Sequence, residues 1–144
     1  MTRVNLVPVQ ELMDQHLFAE FRELKMIPKS LQRSLQAAAR YTSHPQEYVL
    51  RKVPSEYVLG KGHVSFFYDK GKYLQKRYAQ VCSELKARGI GYNPDRLLDP
   101  DGVLENPVFC NDYIPTDNAL ALVRQRIAER VAMKPNWYRK THGS

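Results

Sequence analysis

Apolar residues recur at helical spacing in three stretches of this 144-residue chain. In residues 9–40, Leu17, Phe21, Leu24, Leu31 and Leu35 fall three, four and seven positions apart, which draws one stripe along a helix. Pro28 interrupts that run. It has no backbone N–H and its ring crowds the carbonyl four residues earlier, so the helix is expected to kink or split near Met26-Ile27. In residues 63–88, Phe67, Leu74, Tyr78, Val81 and Leu85 form a second stripe, with Gly62 before it and Gly89 and Gly91 after it as stop signals. In residues 117–132 the row is Leu120, Val123, Ile127 and Val131, with Thr116 or Asp117 placed to cap its start and Pro135 past its end. The connectors are polar. Residues 41–62 hold Ser43-His44-Pro45, Pro54-Ser55 and Gly60-Lys61-Gly62, and residues 89–116 hold four of the nine prolines. No strand pattern exceeds four residues. The pattern predicts an all-α, compact single domain spanning residues 1–144, with three main helices and long irregular loops.

Composition narrows the class. Hydrophobic residues at 43% and charged residues at 26% argue for a globular chain rather than a disordered one. Two cysteines, Cys82 and Cys110, exclude a disulfide scaffold and a cysteine zinc cluster, and both are expected to be reduced thiols. The four histidines, His16, His44, His63 and His142, show no ligand spacing, so no metal site is expected. Glycine-rich phosphate loops and a serine elbow are missing too, which removes support for nucleotide and acyl-hydrolase chemistry. There is no run of about 18 apolar residues, and the opening Met1-Thr2-Arg3-Val4-Asn5-Leu6 lacks the apolar stretch of a signal peptide. A soluble, intracellular monomer with no membrane partner is the expectation.

Charge changes the picture. Lysine and arginine total 22 against 15 acids, a net +7. The excess is uneven, because residues 91–117 carry Arg96 against six acids, whereas residues 118–144 carry six cations against Glu129. That asymmetry predicts a basic face for a polyanion and an acidic loop turned away from it. In the C-terminal stretch Arg124, Arg126, Arg130, Lys134, Arg139 and Lys140 flank Trp137-Tyr138. Cations neutralise phosphates and aromatic faces stack on bases, so a nucleic acid is a candidate partner. Trp137 and Tyr138 closing the core is equally compatible with the pattern.

Two features bear on chemistry. A small second residue favours removal of the initiator methionine, which leaves the α-amine of Thr2 at the chain start. An α-amine ionises near 7.7–8.0 against about 10.4 for lysine, so at pH 7 roughly 10–15% of it is the neutral nucleophile. Such an amine forms a Schiff base with a sugar aldehyde. The second feature is a polar strip of Gln15, His16, Arg22 and Glu23 beside the first apolar stripe. His16 and Glu23, seven residues apart, differ by about 20° around a helix axis and by about 10 Å along it. A solvated face of exposed charge pairs is the competing reading of this strip. An N-terminal hydrolase using the Thr2 hydroxyl is disfavoured, since such enzymes need a layered sheet.

These residues resemble those of the pyrimidine-dimer DNA glycosylase/AP lyases of phages, algal viruses and some bacteria. The matching stretches are Thr2-Arg3-Val4-Asn5-Leu6, Glu11-Leu12-Met13-Asp14-Gln15-His16-Leu17 and Ala19-Glu20-Phe21-Arg22-Glu23-Leu24. Gly62-His63-Val64-Ser65-Phe66-Phe67-Tyr68-Asp69-Lys70, Asp112-Tyr113-Ile114-Pro115 and Pro135-Asn136-Trp137-Tyr138 follow in order. The likeness is weak across residues 41–58 and 90–111. The resemblance implies a base-excision repair enzyme with no metal or organic cofactor. Thr2 is then the amine nucleophile and Glu23 the carboxylate that stabilises the cationic sugar and assists proton transfer. Arg3, Gln15, His16, Arg22, Arg126 and Arg130 correspond to DNA contacts, and Lys134 joins them from the basic C-terminal stretch. The substrate implied is duplex DNA bearing UV photoproducts or abasic sites. Phage members carry an arginine where Met26 stands, and Lys25 and Lys29 are the nearest cations to replace it. The alternative is a helical DNA-binding protein without catalysis.

Overall fold

The computed structural model describes residues 4–142; Thr2 and Arg3 lie outside the described residues. The helices are α1 (Asp14–Leu24), α2 (Met26–Ala38), α3 (Pro45–Leu50), α4 (His63–Phe66), α5 (Gly71–Ala87) and α6 (Asp117–Met133). Among the described residues there is no strand, only an isolated antiparallel bridge between Lys70 and Cys110. The fold is all-α, as the periodicity predicts. No helix among the described residues is long and apolar enough to cross a membrane.

The proline split is found where the chemistry of Pro28 requires it. α1 ends at Leu24 and α2 begins at Met26, because Pro28 offers no N–H to the Leu24 carbonyl. The expected helix does not extend back to residue 9. Val9–Glu11 is a single 3-10 turn, and Leu12 and Met13 are extended. The buried Arg88 guanidinium takes the carbonyl oxygens of Val9 (3.1 Å) and Leu12 (2.7 Å), fixing this stretch outside a helix.

The 63–88 stripe also divides, into α4 and α5, for a tertiary reason. A loop comes back onto the junction. The Gly71 N–H donates to the Phe109 carbonyl at 2.7 Å, and a Cβ at Gly71 would stand 2.5 Å from the Leu104 oxygen. That close approach needs glycine, and the loop held there prevents one continuous helix. α3 lies inside the expected loop 41–62, with Pro45 in its first turn, where a missing N–H costs nothing. α6 matches its expected bounds with one further residue, Met133, and the Thr116 hydroxyl accepts from the Ala119 N–H at 3.1 Å.

The core is built from Leu12, Leu17, Leu24, Ile27, Leu31, Leu74, Leu85, Phe67, Leu104 and Phe109, all fully buried. Cys82 and Cys110 are both free thiols. In the acidic loop, the Asp99 carboxylate accepts from the Val103 and Leu104 N–H groups (3.0 and 2.7 Å), and Asp112 pairs with Lys76 at 2.6 Å. These two acids have structural partners of their own.

Candidate active site

Residues 4–7 are buried, and their backbone is held by four side chains from distant elements. The Val4 N–H donates to Nε2 of His63 (3.2 Å), and the Val4 carbonyl accepts from the Tyr57 hydroxyl (2.9 Å). The Asn5 N–H and Nδ2 both donate to Oε1 of Glu20, at 3.0 and 2.9 Å. Arg77 donates to the Val7 carbonyl (2.5 Å) and to the Leu6 carbonyl (3.4 Å). It also forks onto Glu20 at 2.5 and 3.1 Å, so one buried carboxylate–guanidinium pair ties α1, α5 and the N-terminal segment together.

The backbone bends sharply within that grip. Leu6 has φ +60°, and the Val7 N–H donates to the Asn5 carbonyl at 2.5 Å, the pattern of a three-residue turn with positive φ. A left-handed leucine costs roughly 1–2 kcal/mol, which the Arg77 bonds to Leu6 and Val7 offset. Downstream, the chain reaches Leu12 beside the start of α1, where Arg88 joins the Leu12 carbonyl to Asp14 at 3.0 Å. The segment thus runs antiparallel to α1. Asn5 on Glu20 lies further along α1 than Leu12 does.

A pocket opens beside this segment, lined by Asn5, His16, Ala19, Arg126, Ile127, Arg130 and Tyr138. His16 stacks on Tyr138, ring centroids 4.7 Å apart. Burial, and then the Arg130 charge, push the His16 imidazole below its ordinary ionisation range. Nδ1 of His16 and Nε of Arg126 are buried without a hydrogen-bond partner among the described residues. Two guanidinium groups beside the imidazole suit an anion, which would accept from the buried donor and offset the like charges.

The remaining expected residues are placed as follows. Glu23 is half-buried on α1, two turns beyond His16. Arg22 is exposed, its guanidinium 5.6 Å from the Phe18 ring centre. Gln15 points the other way: Nε2 donates to the Trp137 carbonyl (2.6 Å) and Oε1 accepts from the Arg139 N–H (3.0 Å). Both ends of its amide therefore hold the C-terminal segment against α1. Lys134 is exposed at the end of α6, 5.6 Å from the Trp137 ring. Trp137 is exposed while Tyr138 packs on His16, so the aromatic pair divides between solvent and pocket. Arg124 is paired with Glu11 at 2.8 Å and turned from the pocket. Lys25 folds back, Nζ 3.5 Å from the Phe21 ring centre and 2.6 Å from the Phe21 carbonyl. Burial lowers its ammonium below the usual lysine range. Lys29 on α2 is exposed. Thr2 and Arg3 lie outside the described residues. No cluster of metal-ligating side chains occurs among the described residues.

A family model described as pyrimidine dimer DNA glycosylase matches residues 1–100. The chain belongs to that family. As a member of the pyrimidine dimer DNA glycosylase family it is a DNA-repair glycosylase, which implies a DNA substrate. The match takes in α1, the N-terminal segment and the residues that grip it. The pocket draws its two arginines from α6, beyond the matched stretch.

Periodicity passes over Glu20, Tyr57, His63, Arg77 and Arg88. A signal for three of them exists in the pattern. Glu20 stands three residues after Leu17 and four before Leu24, and Arg77 stands between Leu74 and Val81, while Arg88 follows Leu85 by three. Charges on an apolar row are buried only when paired, so opposite charges on two rows announce a partner. His63 and Tyr57 carry no such mark.

Proposed function

We propose that this chain removes the 5′ pyrimidine of UV-induced cyclobutane dimers in duplex DNA and then nicks the strand, using the Thr2 α-amine as nucleophile once Met1 is removed. The observation that carries this reading is the course of residues 4–7 along α1. Val4 is two residues from Thr2, at most about 7 Å of chain, and the segment lies against Glu20, about one turn before Glu23 on α1, beside a pocket that holds two arginines.

The amine attacks C1′ of the 5′ nucleotide. The glycosidic bond breaks with its electron pair passing to the pyrimidine nitrogen, which takes a proton; the base stays tethered through the cyclobutane to its 3′ neighbour. Loss of one of the amine's two protons, and opening of the sugar ring as O4′ takes a proton, give a protonated imine. Its positive charge acidifies the C2′ hydrogen, and loss of that proton expels the 3′ phosphate by β-elimination. Glu23 stabilises the cationic sugar and moves these protons. His16, Arg126 and Arg130 hold a backbone phosphate, and Arg3, Arg22 and Lys134 extend the cationic track. Gln15 contributes by fixing the C-terminal segment that brings Tyr138 onto His16. A dimer pairs poorly, so distorting the duplex there costs less than in intact DNA. No cofactor is needed.

Borohydride reduction during reaction with dimer-containing duplex tests the mechanism. A covalent protein–DNA adduct through Thr2, located by mass spectrometry, is the expected result. Incision of irradiated DNA without any trapped adduct, or a purified active chain that retains Met1, overturns it. Glu23→Gln is expected to retain DNA binding and lose base removal; near-normal turnover removes Glu23 from the assigned role.

A further inference from the structure

We infer that His63, as the tautomer protonated on Nδ1, is a positioning residue that sets the N-terminal segment for reaction, and that a second proton on its ring releases the segment. The inference rests on the proposed amine mechanism and goes beyond it, since His63 touches no reacting atom.

The partners fix the proton. Nδ1 lies 2.9 Å from the Val58 carbonyl, which only accepts, so Nδ1 donates. Nε2 lies 3.2 Å from the Val4 N–H, which only donates, so Nε2 accepts. Tyr57 grips the other side of the same residue, its hydroxyl on the Val4 carbonyl at 2.9 Å and its ring edge-on to His63 at 5.2 Å. Phe67 closes over the imidazole at 5.6 Å. The ring is buried and its orientation is set from four directions.

A protonated His63 presents N–H to N–H at Val4, and buried donors facing one another cannot both be satisfied. Among the described residues, the other titratable groups packed on this segment are Tyr57, Glu20 of α1, Tyr73 and Arg77 of α5, and Tyr113; His16 of α1 and Arg126 and Arg130 of α6 line the pocket on its Asn5 side and do not touch Val4. Burial holds all three tyrosine hydroxyls above their ordinary range, so they stay neutral. Glu20 and Arg77 neutralise one another. His63 is thus the group whose charge change acts directly on Val4. The reacting amine is two residues away, and misplacing a catalytic group by about 1 Å costs on the order of a hundredfold in rate.

Three variants of the full chain test this on duplex DNA carrying one abasic site. His63→Leu fills the space without an acceptor, His63→Gln supplies an acceptor that does not titrate, and Tyr57→Phe removes only the hydroxyl. Single-turnover borohydride trapping, DNA affinity and the Val4 amide resonance are followed against pH. His63→Leu should trap about ten- to a hundredfold more slowly at saturating DNA, with affinity within about twofold of wild type. His63→Gln should recover most of that loss, and Tyr57→Phe should slow trapping in the same sense. On acidification the wild-type rate should fall more steeply than the single-proton dependence that the amine alone imposes, whereas His63→Gln should follow the single-proton line. The wild-type Val4 amide should shift with the His63 ring, and lose that shift in His63→Gln.

A folded His63→Leu that traps within about twofold of wild type overturns the inference. So does an unchanged pH profile in His63→Gln, or a Val4 amide indifferent to the His63 titration. Should His63→Leu fail to fold, the glutamine variant and the amide titration carry the decision alone. Absence of trapping in wild type would remove the imine mechanism, while the Val4 titration still decides whether His63 controls the segment.

Discussion

Arg77→Met is the most informative perturbation of the scaffold. The guanidinium is 3% exposed and its partner Glu20 is 0% exposed. Methionine fills much of the volume but deletes two bonds to the carboxylate and those to the Leu6 and Val7 carbonyls. Glu20 keeps only the Asn5 donors, leaving a buried charge without a counterion. Removing one member of a buried pair costs about 3–5 kcal/mol, a large share of the 5–15 kcal/mol that holds a domain together. For a chain of this length that corresponds to a fall in Tm of roughly 10–20 °C. Thermal and urea unfolding, followed by circular dichroism, measure it. The double variant Glu20→Gln/Arg77→Met removes both charges and should lose less than the sum of the single variants, by about 1–3 kcal/mol. A single-variant cost below about 1 kcal/mol, or strict additivity, refutes the view that this pair secures the N-terminal segment.

Three further outcomes are expected. His16 in the free protein should titrate below its ordinary 6.5. Its folded form then binds fewer protons than the unfolded chain, so the stability it contributes is fully present above about 6.5 and is lost as pH falls from there through the lower folded midpoint. A phosphate in the pocket reverses the field, so the His16 midpoint in an NMR titration should rise when DNA binds; an unchanged midpoint places DNA elsewhere. Arg130→Ala should raise the same midpoint in the free protein and reduce the salt slope of DNA binding by about one unit; an intact slope removes Arg130 from the interface. Gly71→Ala drives a Cβ against the Leu104 carbonyl and should cost about 1–3 kcal/mol in urea unfolding; a neutral change would mean that the 103–111 loop yields freely.

What the pattern of residues reveals depends on whether a cause is local. The break before α2 follows from one proline, and the start of α6 from one hydroxyl three residues before the amide it caps. Both are readable in the chain. The interruption at Gly71 follows from a loop more than thirty residues later, which no local periodicity registers. α3 was hidden by its six residues, too few for a stripe. The strip of His16 and Glu23 is legible because helical spacing is a local rule, and the cations of α6 because composition is. The grip on Val4 is not, since Tyr57 and His63 act across 53 and 59 positions of chain. Glu20 and Arg77 are an intermediate case: each signals burial, but neither names the other. Gln15 shows the converse, a polar residue on the expected face whose hydrogen-bonding capacity is taken up by the protein's own C-terminal segment.

The grip on the N-terminal segment also orders events in time. Ribosomes add about 5–20 residues each second, so Arg77 is made some 4–15 s after Val4, and Glu20 waits about 3–11 s for its counterion. The stretch that is synthesised first is therefore among the last to be locked down. A nascent chain has several seconds in which residues 4–7 are not yet held by Arg77, and enzymes that trim a leading end act on it in that interval.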